Sequence, residues 1–275
     1  MIDGRVLRLE GIEERYERYK EKIKNYTIMD DIFMRNVLKE QGCTEYMLQV
    51  IMNQKDLQVV EQTLQKDYKN LQGRSAILDC VARDERARQF NVEIQGDNEG
   101  ASPERARYHS CLLDMNILSP REPFTGLPET YIIFITRNDV LGYDRIICHI
   151  TRKVEEEGKD FGDGSHIIYV NSKKREDTEL GKLMHDLHCK ESGEMHSKIL
   201  ASRVRELKET EKGVSEMCRD MEEIYGEGME EGERKKARET VISLAELKMP
   251  EEQISQIVKM PLEVVQGWIE ESLAI

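Results

Sequence analysis

The chain has 275 residues, 39% of them hydrophobic and 35% charged. That is enough for one large or two modest domains with a real core, and too polar for a membrane-embedded chain. The net charge of −13 argues against a protein that coats nucleic acid. The charge is uneven, however: residues 206–275 hold 18 Asp/Glu and 9 Lys/Arg, a balance of −9 that leaves −4 for the first 205. A nucleic-acid site in the body is therefore permitted.

Residues 5–24 are highly charged and read as a helical, loosely packed arm. TIMDDIFMRNVLKEQG, 27–42, reads as an amphipathic helix with Thr27 as N-cap, Asp30 three residues on and Gly42 as the stop. A second helix is expected near 44–53, then a polar stretch over 55–69. From Gly73 the period becomes two: RSAILDCVA (74–82) and FNVEIQ (90–95) read as strands joined by a charged connection, RDERARQ. SPERARYHSCLLDMNI (102–117) is a helix with Ser102 as N-cap and Pro103 at the first helical position. Further strands are expected at 130–139, 145–154 and 166–172. The remainder, 177–275, is helical, with Gly226, Gly228 and Gly232 as weak points. This order predicts a mixed α/β or α+β sheet domain with a helical extension.

The start, MIDGRVLRLEG, lacks the apolar stretch of a signal peptide, and no apolar run is long enough to span a membrane. Six scattered cysteines without a CxxC pair point to reduced thiols and a cytoplasmic setting.

Two acids stand out. If 74–82 and 90–95 form an antiparallel hairpin in the register that pairs 79 with 93, then Asp79, Glu93 and Gln95 share one face. Leu78, Cys80, Phe90, Val92 and Ile94 then share the other, buried one. Two carboxylates that close repel unless a proton or a cation intervenes. Oxygen ligands suit Mg2+, so Asp79 and Glu93 form a candidate divalent-metal site, with the Ile94 carbonyl as a third ligand. The plainer alternative is a solvated sheet face carrying unrelated acids.

The run SAILDCVARDERARQFNVEIQ, with Asp79 and Glu93-Ile94-Gln95, resembles the PD-(D/E)XK nucleases, and more closely their transposase branch. DDIFMRNVL, RARYHSCLLD, PETYIIFIT, GKLMHDLHCKESGEM and VRELKETEKGVSEMC resemble further segments of that branch in the same order, over about residues 27 to 232. The resemblance implies a restriction-endonuclease-like fold: a mixed central sheet flanked by helices. It also implies Mg2+- or Mn2+-dependent cleavage of DNA by a bacterial protein linked to recombination or transposition. Leu78 stands where the signature has Pro, and Gln95 where it has Lys. A glutamine amide orients by hydrogen bonds but brings no charge, so the metal must supply most of the stabilisation. Asp31 matches an acidic position of the family's first helix that approaches the metal.

Four segments follow from this reading: an arm at 1–26, the nuclease-like core at 27–175, a helical extension at 176–232 and an acidic helical tail at 233–275. In the tail, Pro250 and Pro261 open successive helices, and Ile254, Ile257, Val258, Leu262, Val265 and Trp268 make an apolar stripe. With more acids than bases the tail suits packing or homo-oligomerisation better than DNA reading. Arg105 and Arg107 begin the 102–117 helix; Arg105 is a candidate for holding phosphate or orienting Glu93. His185, His188 and Cys189, with His196 beyond, invite a zinc reading; the first three can share a helical face, but no second pair stands at zinc-finger spacing, so a packed helical stripe is the expectation. The alternative function is a catalytically degenerate nuclease fold that binds DNA or protein.

Overall fold

The computed structural model describes residues 4–68, 76–96 and 98–273. The expected strand start at 74–75 lies outside them. Three helices come first: α1 (Gly4–Asn25), α2 (Asp31–Leu38) and α3 (Gln41–Ile51). α1 is anchored, since Tyr19 and Ile23 are buried. The expected helix over 27–42 is shorter. Thr27 donates both its backbone N–H and its hydroxyl to the Asp30 carboxylate, at 2.7 and 2.9 Å, and holds the chain in a turn before α2. Nor does Gly42 stop it; the break falls at Lys39–Glu40, and Gly42 lies in the first turn of α3.

Six strands form a mixed sheet: β1 (Val59–Tyr68), β2 (Ala76–Asp84), β3 (Gln89–Gln95), β4 (Thr130–Thr136), β5 (Ile147–Ile150) and β8 (Ser165–Asn171), in the order β1-β2-β3-β4-β8-β5. β6 (Lys153–Val154) and β7 (Lys159–Asp160) make a small separate hairpin, so the strand expected over 145–154 is broken in two. β1–β2–β3 is an antiparallel meander, β3, β4 and β8 run parallel, and β5 returns antiparallel to β8. β1 occupies the expected polar stretch. As an edge strand it keeps polar side chains on its outer face, and the apolar alternation that marks a strand is diluted.

The chain from β3 to β4 crosses over through α4 (Pro103–Met115), capped as expected: the Ser102 hydroxyl accepts the Arg105 N–H at 3.2 Å, and Pro103 opens the helix. α4 buries Ala106, Leu112 and Leu113 against Val81, Ile132, Phe134 and Tyr169. α3 lies against the sheet too, with the Thr44 hydroxyl 3.9 Å from the Cys80 thiol. Both faces of β3 are therefore covered, and every residue from Phe90 to Ile94 is buried. The ladder of β2 with β3 ends at Cys80–Val92, so the face alternation need not persist beyond it. Accordingly Leu78, expected beside Cys80, packs in the α4-side cluster with Val81 and Tyr68.

After β8 come α5 (Glu179–Leu187), α6 (Lys198–Glu209), α7 (Glu211–Glu246), α8 (Glu251–Val258) and α9 (Leu262–Leu273). The chain divides into two compact units, Met1–Cys218 and Arg219–Ile275, and α7 spans the boundary. Gly226, Gly228 and Gly232 do not interrupt α7, and a Cβ added at any of them would meet no neighbouring atom, so no close contact requires glycine there. In the second unit Val241, Ile254, Val265 and Trp268 form the core; Ile257, placed in the expected stripe, is 56% exposed instead. All six cysteines are free thiols, and no described helix is long and apolar enough to cross a membrane.

Candidate active site

The register of β2 with β3, Cys80 opposite Val92 and Ala82 opposite Phe90, carries Asp79 across from Glu93. At that step the strands part. The Asp79 backbone N–H donates to the Glu93 side chain, Oε1 at 3.1 Å. A carboxylate thus fills a fork in the sheet where a ladder bond would otherwise sit. On its far side Asp79 Oδ1 accepts a hydrogen bond from the Gln65 amide at 3.1 Å. Gln65 has φ +51°, a conformation that costs a non-glycine residue about a kcal/mol or more and persists only where its surroundings hold it.

The fork is not a solvated face. Glu93 is fully buried, and its Oε2 has no hydrogen-bond partner. Desolvation, then the nearby Asp79 charge, pushes the Glu93 carboxyl up to about 8, against a lowering pull from the Asp79 N–H, Asn91 and Arg105. Asp79 is also raised, first by desolvation and then by the charge of Asp31. An acceptor with a free lone pair, buried beside a second carboxylate, is an unsatisfied demand for a proton or a cation.

α4 supplies the cover. Arg105 and His109, one turn apart, face β3: the Arg105 Nε–H donates to His109 Nε2 at 3.2 Å, and Arg105 Nη2 stands 3.7 Å from Glu93 Oε2. Because Arg is always protonated, His109 Nε2 must accept and its Nδ1 carries the proton. That Nδ1 lies 3.6 Å from Glu93 Oε1, the acceptor it faces, and 3.4 Å from the Asn91 amide nitrogen, which is itself a donor. Burial, then Arg105, pushes His109 down to about 4, so the ring is neutral. Gln95 folds its amide over Gly100, where a Cβ would collide with the Gln95 Oε1 and approach Arg105 Nη1 at 3.6 Å. Glycine at 100 gives the Gln95 side chain its place beside Arg105.

Asp31 opens α2 near the fork, and its charge acts on Asp79, but both its oxygens are engaged by Arg35, at 2.9 and 2.6 Å. Its neighbour Asp30 pairs with Arg137 at 3.7 Å, at the end of β4. Ile94 follows Glu93 beyond the last β2–β3 pair, on the parted segment of β3. Arg107 is exposed, and its charge acts on Glu104. Oxygen donors from two carboxylates, one orphaned, fit a hard divalent cation.

Residues 41–225 match the family described as PD-(D/E)XK nuclease family transposase. The chain belongs to this family. No curated protein and no solved structure matches it. Membership makes the protein nuclease-like and related to transposition at the level of the family, and the mixed sheet flanked by helices agrees with the family's fold. Divalent metals are typical of PD-(D/E)XK nucleases.

Sequence reasoning missed three groups here. Strand parity put Asn91 on the face of Glu93 but gave it no role, and His109 followed Arg105 and Arg107 on a helix of mixed polarity that gave no reason to aim it at Glu93. Gln65 sat in a stretch read only as polar, and a positive φ at a glutamine leaves no mark in sequence.

Proposed function

We propose that this protein is a metal-dependent DNA endonuclease that hydrolyses phosphodiester bonds in recombination or transposition. The observation that carries the reading is the Asp79–Glu93 pair at the sheet fork, Glu93 buried and Asp79 half-buried, with Glu93 Oε2 left without a hydrogen-bond partner. Asp79, Glu93 and the Ile94 carbonyl would hold Mg2+ or Mn2+, with Asp31 joining them only on release from Arg35. Such an ion polarises the phosphodiester and acidifies the attacking water.

The chain's own groups have separate tasks. Arg105, with 40% of its side chain exposed, presents a cation to the phosphate while its Nε stays fixed on His109. Neutral His109 presents Nδ1–H towards Glu93 Oε1 and steers Oε2 into the fork. Gln95, beside Arg105, orients the water or a phosphate oxygen through its amide. Asp79 and Glu93 together supply two negative charges that a divalent ion neutralises, and they cannot both be charged comfortably without one.

A degenerate fold serving as a DNA- or protein-binding module is the second reading. Gln95 in the lysine position favours it, because no side chain there can carry charge to the reacting phosphate. A plasmid-nicking assay with and without Mg2+ or Mn2+ separates the two. Metal-dependent nicking should be lost in Asp79→Ala and in Glu93→Ala, with circular dichroism unchanged. Cleavage retained by the double variant would place the activity elsewhere, and no cleavage by the wild type in either metal would favour the degenerate reading.

A further inference from the structure

The segment that links α5 to α6 gathers a second set of metal-ligating side chains, outside the nuclease fork. One ligand atom from each of His185, Asp186 and His196 lies within 4.8 Å of the others. His185 closes α5, Asp186 is fully buried, and His196 is exposed just before the N-cap of α6. The two imidazoles lie 4.8 Å apart, tilted by 55°. Cys189, a free thiol, brings a fourth donor: its Sγ is 3.4 Å from His185 Nδ1. Asp186 Oδ1 is 3.3 Å from the same Nδ1.

These separations suit one particular polyhedron. Zn–N and Zn–O bonds of about 2.0–2.1 Å and a Zn–S bond of about 2.3 Å, opened to a tetrahedral angle, set N···O about 3.4 Å and N···S about 3.5 Å apart. The two measured edges at His185 Nδ1 already have those lengths. These are two of a tetrahedron's six edges; loading the ion has to draw in both the exposed His196 and the Cys189 thiol, which lies outside the 4.8 Å group formed by the other three.

Asp186 is held in advance. Its Oδ1 accepts the His196 N–H at 2.8 Å and its Oδ2 the Ser197 N–H at 2.7 Å. Each oxygen keeps a second lone pair, so the carboxylate can bind an ion without giving up the backbone it orders. Such supporting hydrogen bonds are what orient ligands in metal sites. His188, grouped with these residues by helical spacing, is excluded: its Nε2 is committed to the Ser172 hydroxyl at 2.9 Å. Asp186 and His196 come together only where the turn at Ser192–Glu194 brings the chain back, which helical spacing does not show.

We infer that His185, Asp186, Cys189 and His196 form a structural site for a zinc-type transition metal, which clips the end of α5 to the start of α6. Nitrogen, sulfur and one oxygen select zinc over the hard cations that the carboxylate fork takes. The site closes four protein ligands on the ion and leaves no open position for catalysis.

The test uses the full-length chain carrying Asp79→Ala, so that the fork contributes no carboxylate pair, stripped with chelator and reloaded. One equivalent of Zn2+ should survive desalting and raise the melting temperature. Co2+ in its place should give tetrahedral d–d bands and a thiolate charge-transfer band, and Cys189→Ser should remove the latter. His196→Ala, at an exposed position that folding tolerates, should weaken Zn2+ binding at least about tenfold, and His185→Ala should do the same. Cobalt bound without a thiolate band, no retained zinc, or equal zinc affinity in His196→Ala and the parent would overturn the assignment.

Discussion

At the scale of single residues the site is governed by Glu93. Its carboxyl is raised from about 4.5 to about 8 in the folded protein, by burial first and Asp79 second. Folding therefore favours the protonated form. Below about pH 4.5 both states hold the proton and nothing is lost; from there to about pH 8 the unfolded chain releases it and the folded chain does not. Metal-free stability must fall across that window by an amount on the order of a few kcal/mol. Denaturant titrations at several pH values should show this slope in the wild type and a flatter profile in Glu93→Gln, which should be the more stable protein at pH 8. Parallel profiles would mean that Glu93 ionises as an ordinary carboxyl. Gln95 invites a different comparison. In a nuclease, Gln95→Ala should slow single-turnover cleavage on the order of a hundredfold through loss of an orienting contact, while Gln95→Lys should keep or raise the rate. Gly100→Ala should resemble Gln95→Ala, since the added Cβ evicts the amide. Wild-type rates in both Gln95→Ala and Gly100→Ala would make the side chain a mere part of the strand.

At the scale of elements, the β2–β3 connection decides the register on which everything else rests. Its charges are not a solvated loop. Asp84 Oδ1 accepts the Arg86 and Arg88 N–H groups at 3.0 and 2.9 Å, Oδ2 takes the Arg88 guanidinium at 2.7 Å, and both Asp84 and Arg88 are buried. Asp84→Ala would leave the Arg88 charge buried without its partner, a loss on the order of 3–5 kcal/mol. The expected result is a large drop in the denaturation midpoint, partly relieved in Asp84→Ala with Arg88→Met; an unchanged midpoint for the single variant would show that the turn does not control the hairpin. Strand parity made the Asp79–Glu93 pairing legible in sequence, and Ser102-Pro103 marked the start of α4. The fully covered face of β3 was not legible, because Asn91 and Glu93 read as polar and outward when no alternation says that a helix will lie over them. β1 was hidden by its edge position, and the break at Lys39–Glu40 carries no glycine or proline to announce it.

At the scale of the whole molecule, the fold class and the family were readable because several segments in fixed order specify a topology better than any one motif, and the matched region, 41–225, falls within the span inferred from them. The two-unit division was only partly legible: the acidic helical tail was expected, but α7 runs through its glycines across the boundary at Cys218–Arg219. Charge and composition say nothing of the His185–His196 cluster, whose members meet through a chain reversal. The connectivity of the sheet also has a kinetic meaning. Asp79 and Glu93, 14 residues apart, meet within a local meander that closes with little entropy. The parallel pairing of β3 with β4, and the docking of α4 over Glu93, require the entire crossover to close first. The two acids are therefore expected to come together while still hydrated, with dehydration as a later event; folding kinetics in which a probe of the β2–β3 hairpin and a probe of α4 docking rise together would contradict this order. The energetic burden of the Asp79–Glu93 pair is then expected to fall on the last stage of assembly, after the hairpin that positions it has formed.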